Sequence, residues 1–329
     1  MNLFEDLEER QEIEPHERLA RKALDAYGLG SARLELVSSK DHVLFRVTDG
    51  AGAAVERFAL RIHPSGWSGE QILQTLSWLA AIRREARLPV PEPVLTRSGE
   101  LIQSLSTRGV SGFHQVTFTT WVPGKRSTEW TPERAAVLGR RIAELHAHSG
   151  TYTPSCGISV PRRDADAVAE SIDAPRLARA VDPAAEAQIA ETVSRVEASM
   201  SVLGTGPEVC GMIHGNLIDD HVLFEEDAVG LIGFTRCRWG YHLYDVATIG
   251  LDLRLLEEGE ALVDSFLEGY TEVRPLPDAF ETHLNAFRAL RLLDRLRSIP
   301  ARSASDEEPS SARAARRTLE HLRALSGES

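Results

Sequence analysis

Cysteine is scarce in this chain of 329 residues, and the three that occur form no pattern. Cys156, Cys210 and Cys237 are odd in number, far apart and without a CxxC spacing, which excludes a disulfide framework and a cysteine-built zinc site. Lysine is almost missing: Lys22, Lys40 and Lys125 are the only lysines among 37 basic residues, against 49 acidic ones. The formal charge of −12 argues against non-specific nucleic-acid binding, which needs concentrated cationic charge to neutralise phosphates. No apolar run approaches the ~18 residues that cross a bilayer. Residues 1–14 are acidic where a secretory leader would be basic and then apolar. The expected location is therefore the cytoplasm, with no membrane attachment. No GxGxxG phosphate loop and no internal repeat is present.

What is present suggests two lobes, since 329 residues exceed the usual span of one core. Residues 1–14 read as a solvated acidic arm, with Pro15 opening a helix that Gly28 and Gly30 stop. Residues 37–48 and 55–63 read as two strands joined by the Gly-rich turn Asp49-Gly50-Ala51-Gly52. Ser68-Gly69-Glu70-Gln71 has the form of a capping box before a helix to about residue 87. Strands are expected at 94–96, 100–104 and 115–122, the last ending at Pro123-Gly124. Beyond, the chain is mostly helical: a helix capped by Thr131, a loop over 155–168, a helix over 182–203, and four more over 244–256, 259–270, 277–297 and 310–325. His146 and His148, two residues apart, do not share a helix face and make a poor metal pair. Residues 303–311 read as a polar linker.

The informative stretch is Met212-Ile213-His214-Gly215-Asn216-Leu217-Ile218-Asp219-Asp220-His221-Val222-Leu223-Phe224, followed by Val229-Gly230-Leu231-Ile232-Gly233-Phe234. Two apolar runs too short for helices flank a polar loop, which gives strand, loop, strand, turn, strand. His214-Gly215, the spacing to position 221, Ile232 and Phe234 around Gly233, Trp239-Gly240 and Tyr244-Asp245 together resemble the core of the aminoglycoside phosphotransferase and choline-kinase-like family. The resemblance covers most of the chain, from about residue 16 to about residue 300. It implies an α+β, bilobal protein-kinase-like fold with a small β-rich N-lobe over 15–122 and a larger, mainly helical C-lobe over 123–302. The polar linker and last helix, 303–329, follow.

The resemblance also implies roles. Arg61 stands where a strand Lys or Arg reaches the phosphates of ATP, and the backbone around Thr120 and Val122 is where an adenine ring would be held. The family's helix Glu that pairs with that strand cation corresponds to Thr75, which cannot form the pair. His214 opens the catalytic loop. Asn216 stands in place of the acidic base, His221 in place of the metal-binding Asn, and Gly233 in place of the metal-binding Asp. An amide cannot take a hydroxyl proton at neutral pH. Magnesium prefers oxygen donors in octahedral geometry, imidazole suits it poorly, and glycine offers no side chain; a magnesium site should be badly weakened. Asp219 and Asp220 are candidate replacement ligands, although exposed turn carboxylates are the plainer reading. The resulting expectation is a pseudokinase holding a nucleotide, a small molecule or a protein partner in the interlobe cleft. The alternative is an active ATP-dependent phosphotransferase, acting on a small hydroxylated metabolite or antibiotic through a rearranged metal site.

Overall fold

The computed structural model describes residues 3–39, 42–50, 55–154, 162–226, 228–298 and 310–326. Several expected features fall wholly or partly outside these residues: part of the turn at 49–52, the first half of the 155–168 loop with Cys156, and the linker before Ser310. The chain forms two compact units. One comprises Met1–Gly124, Thr153–Val160 and Gly230–Thr235; the other comprises Lys125–Tyr152, Pro161–Val229 and Arg236–Ser329.

The first unit is a five-stranded antiparallel sheet beside helices. Helix α1 (Leu3–Asp25) runs continuously through Pro15, so the expected start at Pro15 is corrected: the helix absorbs the loss of one N–H without ending. Its Leu19, Ala20, Ala23 and Leu24 are fully buried in one core with Phe45, Val47, Leu60, Ile62, Val116 and Phe118. Those residues come from β2 (Val43–Asp49), β3 (Glu56–Ile62) and β5 (His114–Thr120). With β1 (Arg33–Ser38) and β4 (Ile102–Leu105) the strand order is β1-β2-β3-β5-β4. The single strand expected at 37–48 is thus the end of one strand and the whole of the next. Residues 94–96 form no strand of their own, although the Val94 amide donates to the Phe118 carbonyl at 2.9 Å; the expected turn at 97–99 is present, closed by Thr96 N–H donating to the Glu100 carbonyl at 2.9 Å. Helix α2 (Gly69–Ala81) is capped by Ser68, whose hydroxyl accepts from the Glu70 amide. The helix continues through a wider turn, Ile82–Ala86, that ends at Arg87 in left-handed backbone.

The second unit is mainly helical. Thr131 caps α3 (Pro132–Thr151) by accepting from the Arg134 amide. β6 (Arg162–Arg163) precedes α4 (Ala165–Ser171) and α5 (Ala174–Val181), which Asp164 and Asp173 cap; residues 165–168 are therefore helix, not loop. Asp182 caps a short turn at Pro183–Ala185 that leads into α6 (Glu186–Leu203). Three strands, β6, β10 (Arg238–Tyr241) and β7 (Cys210–Ile213), pair in that order, and β8 (Val222–Glu225) and β9 (Ala228–Leu231) form a ribbon. Helices α7 (His242–Arg254), α8 (Gly259–Val273), α9 (Phe280–Ser298) and α10 (Ser310–Ser326) follow. Helices α3 and α8 cross closely because glycines face each other's backbone: a Cβ on Gly139 would stand 2.0 Å from the Phe266 carbonyl oxygen, and one on Gly269 would stand 2.0 Å from that of Ala136. No described helix is long and apolar enough to cross a membrane.

Candidate functional site

In the helical unit, strand β7 delivers the loop that begins at His214. The loop is held from below by Asp245, near the start of α7, whose side chain is fully buried. Its two carboxylate oxygens accept from the backbone amides of His214 at 2.7 Å and Gly215 at 2.9 Å. His146 Nε2 lies 3.4 Å from the same carboxylate, and its Nδ1 is 2.9 Å from the Tyr270 hydroxyl. Burial raises the Asp245 pKa, opposed by the charge of His214 and the two amides. Burial pushes His146 well below the usual histidine value, so the ring is neutral. Nε2 then carries the hydrogen toward Asp245, and Nδ1 accepts from Tyr270. Gly215 is required here: its φ is +73°, and a Cβ would stand 2.2 Å from the Arg236 carbonyl oxygen.

The positions above this frame are polar and interlocked. Asn216 is partly buried, and its Oδ1 accepts from Arg291 Nη2, on α9, at 3.0 Å. The Asn216 carbonyl accepts from His221 Nδ1 at 2.8 Å, which places a hydrogen on Nδ1. The rings of His214 and His221 stand 5.6 Å apart, tilted, and the Asn216 amide donates to His214 Nδ1 at 3.3 Å. Asp219, Asp220 and His221 share one short helical turn. The Asp219 side chain accepts from the Asp220 amide at 2.8 Å, and the Asp219 amide donates to Asp252 at 3.3 Å. Asp220 is ion-paired with Arg126. Burial raises the Asp252 pKa, against the Asp219 amide and the charges of Arg295 and Arg291.

Arg61, Thr75, Thr120, Val122 and Gly233 belong to the sheet unit. Arg61 lies on β3, where its Nε is buried without a hydrogen-bond partner among the described residues. Burial alone lowers its guanidinium pKa to about 10. The same surroundings, with Arg61 itself contributing after burial, press His63 down to about 3. Thr75, on α2, turns its hydroxyl back to the Gln71 carbonyl at 3.1 Å. Thr120 and Glu92 bond reciprocally: the Thr120 amide donates to the Glu92 carbonyl at 2.8 Å, and its hydroxyl accepts from the Glu92 amide at 2.9 Å. Val122 is buried, and a Cβ on Gly230 would meet its Cγ1 at 2.6 Å. Gly233 sits at φ +84°, backbone that glycine adopts without strain. Its neighbour Phe234 packs edge-on against Trp78, with centroids 5.7 Å apart.

At the two positions that the resemblance assigns to a metal stand an imidazole, His221, and a residue without a side chain, Gly233, a donor set that suits magnesium poorly. Among the described residues no three His, Cys, Asp or Glu side chains converge. Two arginines beside the loop escape a reading of the sequence. Arg291 is one of several arginines along α9, among them Arg288 and Arg295, and nothing local marks which of them meets Asn216. Arg238 opens β10, a four-residue strand flanking a 3-10 turn, too short for a clear alternation.

A family model described as Phosphotransferase enzyme family matches residues 33–284. Among solved structures, the microcompartment-associated aminopropanol kinase is 26% identical, with a TM-score of 0.75 covering 94% of this chain and 97% of that one. Among curated proteins, an uncharacterized protein of Deinococcus radiodurans is 27% identical over 281 residues, 84% of this chain and 79% of its own. A homoserine kinase of Hyphomonas neptunium is 28% identical over 207 residues, 58% of each chain; the match thus spans under two thirds of that kinase. The architecture is the protein-kinase-like fold of these structural neighbours, as the sequence resemblance implies.

Proposed function

Because the chain belongs to the phosphotransferase enzyme family, we propose that it binds a nucleotide and a small hydroxylated molecule in the cytoplasm without transferring phosphate efficiently. One observation carries this reading: Asn216, at the base position, spends its Oδ1 on Arg291. An amide so placed orients a hydroxyl and cannot accept its proton, and general-base assistance contributes about 10²–10⁴-fold. The replacements at Thr75, His221 and Gly233 support the same reading, since positioning and charge stabilisation do most of the work in phosphoryl transfer. Arg61 supports the nucleotide half, because a desolvated cation on β3 whose Nε has no acceptor among the described residues suits a phosphate.

A second reading is favoured by the comparisons: relatives named as aminopropanol kinase and homoserine kinase point to an active kinase of a small amino alcohol. In it the acceptor hydroxyl attacks the γ-phosphorus, ADP leaves, and the proton passes to solvent or to His221 Nε2. Asp219 is then the better replacement metal ligand, Asp220 being tied to Arg126. Both readings meet one experiment, ADP release from ATP and Mg²⁺ with 3-amino-1-propanol or L-homoserine. The first expects ATP to raise the melting temperature with no ADP above the acceptor-free control. Turnover that co-purifies through successive columns and disappears in Asp219→Ala overturns it in favour of the second.

A further inference from the structure

The residue that removes the base also changes the charge of the place. A carboxylate at position 216 would form an ion pair with Arg291; the Asn216 amide accepts the bond at 3.0 Å and brings no charge of its own, while Asp252 faces the same guanidinium. A second cation stands beside the same loop. Arg238 lies with its guanidinium carbon 5.0 Å from the centre of the Tyr244 ring and 3.6 Å from where a Cβ on Gly215 would be. Its Nε and Nη2 are buried and make no hydrogen bond among the described residues, while the side chain keeps 20% exposure. Buried N–H groups without acceptors are costly enough that native structures rarely keep them without a reason.

The acids nearby are already engaged. Asp245 serves the two loop amides and His146, and it also feels the charge of Arg238 without a hydrogen bond to it among the described residues. Asp294 accepts from the Tyr244 hydroxyl at 2.8 Å and has Arg297 at 3.4 Å, with Arg238 only at 4.0 Å. Asp252 accepts from the Asp219 amide and faces Arg295 as well as Arg291. Burial and Asp294 raise the Tyr244 pKa, and the charges of Arg238 and Arg291 both oppose them.

We infer that Arg238 and Arg291, with the Asn216 side chain adjoining, form a binding site for a small oxyanion, a carboxylate or a phosphate group. Guanidinium groups match such anions with paired, charge-assisted hydrogen bonds. The ligand class is thereby set apart from purely cationic amino alcohols: the molecule beside the loop carries a negative group. The inference rests on the proposed reading in one respect, that a small ligand still enters beside the loop.

The test is calorimetric titration of the full chain at constant ionic strength. The probes are L-homoserine, 3-amino-1-propanol, which is the same skeleton without the carboxylate, and inorganic phosphate; ATP is titrated separately. L-Homoserine binding at least tenfold tighter than 3-amino-1-propanol, or phosphate binding that saturates, is expected. Arg291→Met and Arg238→Met should each weaken that binding tenfold or more. Asn216→Asp should weaken it too, because the new carboxylate would pair with Arg291. Arg291→Gln keeps a donor for Asn216 while removing the charge, so a loss there at unchanged melting temperature belongs to the charge and not to folding. Stronger binding of phosphate assigns the site to a phosphoryl group, and stronger binding of L-homoserine assigns it to an acceptor carboxylate. If neither anion binds, or if the arginine variants bind as the parent does, the inference falls. The ATP arm separates the two claims: ATP binding without an oxyanion preference leaves the proposed function standing and removes this site, whereas the reverse keeps this site and removes the nucleotide.

Discussion

Arg61 in the sheet unit and Asp245 in the helical unit are two desolvated charges kept under opposite conditions. Arg61 has its pKa drawn down to about 10 by burial alone, and its Nε meets no acceptor among the described residues. Asp245 is answered by the His214 and Gly215 amides and the neutral His146. The first arrangement leaves a donor over; the second is closed and structural. A loop frame built from backbone amides on a buried carboxylate persists whatever side chains the loop displays. On the proposed function, that is how the frame around His214 holds with Asn216 and His221 displayed on it.

The largest expected effect strikes the closed arrangement. Asp245→Ala would leave two backbone amides and the His146 Nε2–H buried without an acceptor, and losing one partner of a buried charged network costs about 3–5 kcal/mol. Urea unfolding should show that loss, with Asp245→Asn milder because it keeps one acceptor. A change below about 1 kcal/mol would mean that the loop does not depend on the carboxylate.

Acid should separate the units next. His146 and His242 stack 4.6 Å apart in the helical unit, and burial lowers both pKa values well below 6.5. Arg274 opposes protonation of each as well, donating to His242 Nδ1 at 3.0 Å. The unfolded chain takes protons below pH 6.5 that the folded chain refuses, so stability is full above 6.5 and falls as pH falls through it. Two such groups give a slope approaching about 2.7 kcal/mol per pH unit, and the single His63 of the sheet unit about 1.4. Asp245, with its raised pKa, works in the opposite sense nearer the carboxylate range, which confines the window to just below 6.5. Hydrogen exchange between pH 7 and 5.5, read separately on peptides from α3–α8 and from β3–β5, should show the steeper loss in the helices. Equal slopes would break the comparison.

Packing offers a third contrast of about 1–3 kcal/mol, the usual penalty for forcing atoms into a filled core. Gly139→Ala drives a methyl into the Phe266 carbonyl and should lower the melting temperature by several degrees. Gly69→Ala, at the first turn of α2 with open space around it, should be neutral or slightly stabilising. Thermal unfolding of the two variants side by side tests whether close helix approach is confined to the helical unit.

Legibility in the sequence followed the same divide between local and distant causes. Capping and periodicity announced α3 through Thr131 and α7 to α10 through their apolar faces, and alternation announced β2, β3 and β5. These signals are local. The continuity of α1 through Pro15 was not legible, because packing of Leu19, Ala20 and Ala23 on the sheet outweighs a proline's local preference. The helices α4 and α5 had legible caps in Asp164 and Asp173 but lie in charge-rich sequence that reads as loop. At the site, the identities at 214, 216, 221 and 233 could be read by resemblance. The partnership of Asn216 with Arg291, 75 residues away, could not, since it exists only once α9 lies against the loop.

The smallest effect on stability is expected at Arg61, and it carries the most information about the open arrangement. Arg61→Met removes a guanidinium whose Nε is buried with no acceptor among the described residues. Replacing such a group by an apolar one of similar length forfeits no bond and relieves a desolvation penalty, so the ligand-free protein should unfold at the same urea concentration or gain up to about 1 kcal/mol. The same variant should lose most of the stabilisation that ATP gives the parent, which follows RT ln(1 + [L]/Kd) and reports directly on affinity. A residue kept at a cost to the apo fold and required by the ligand belongs to function. If Arg61→Met instead destabilises the apo chain by more than about 1 kcal/mol and leaves the ATP response unchanged, the guanidinium is a structural strand residue, and the contrast between an open and a closed unit no longer holds.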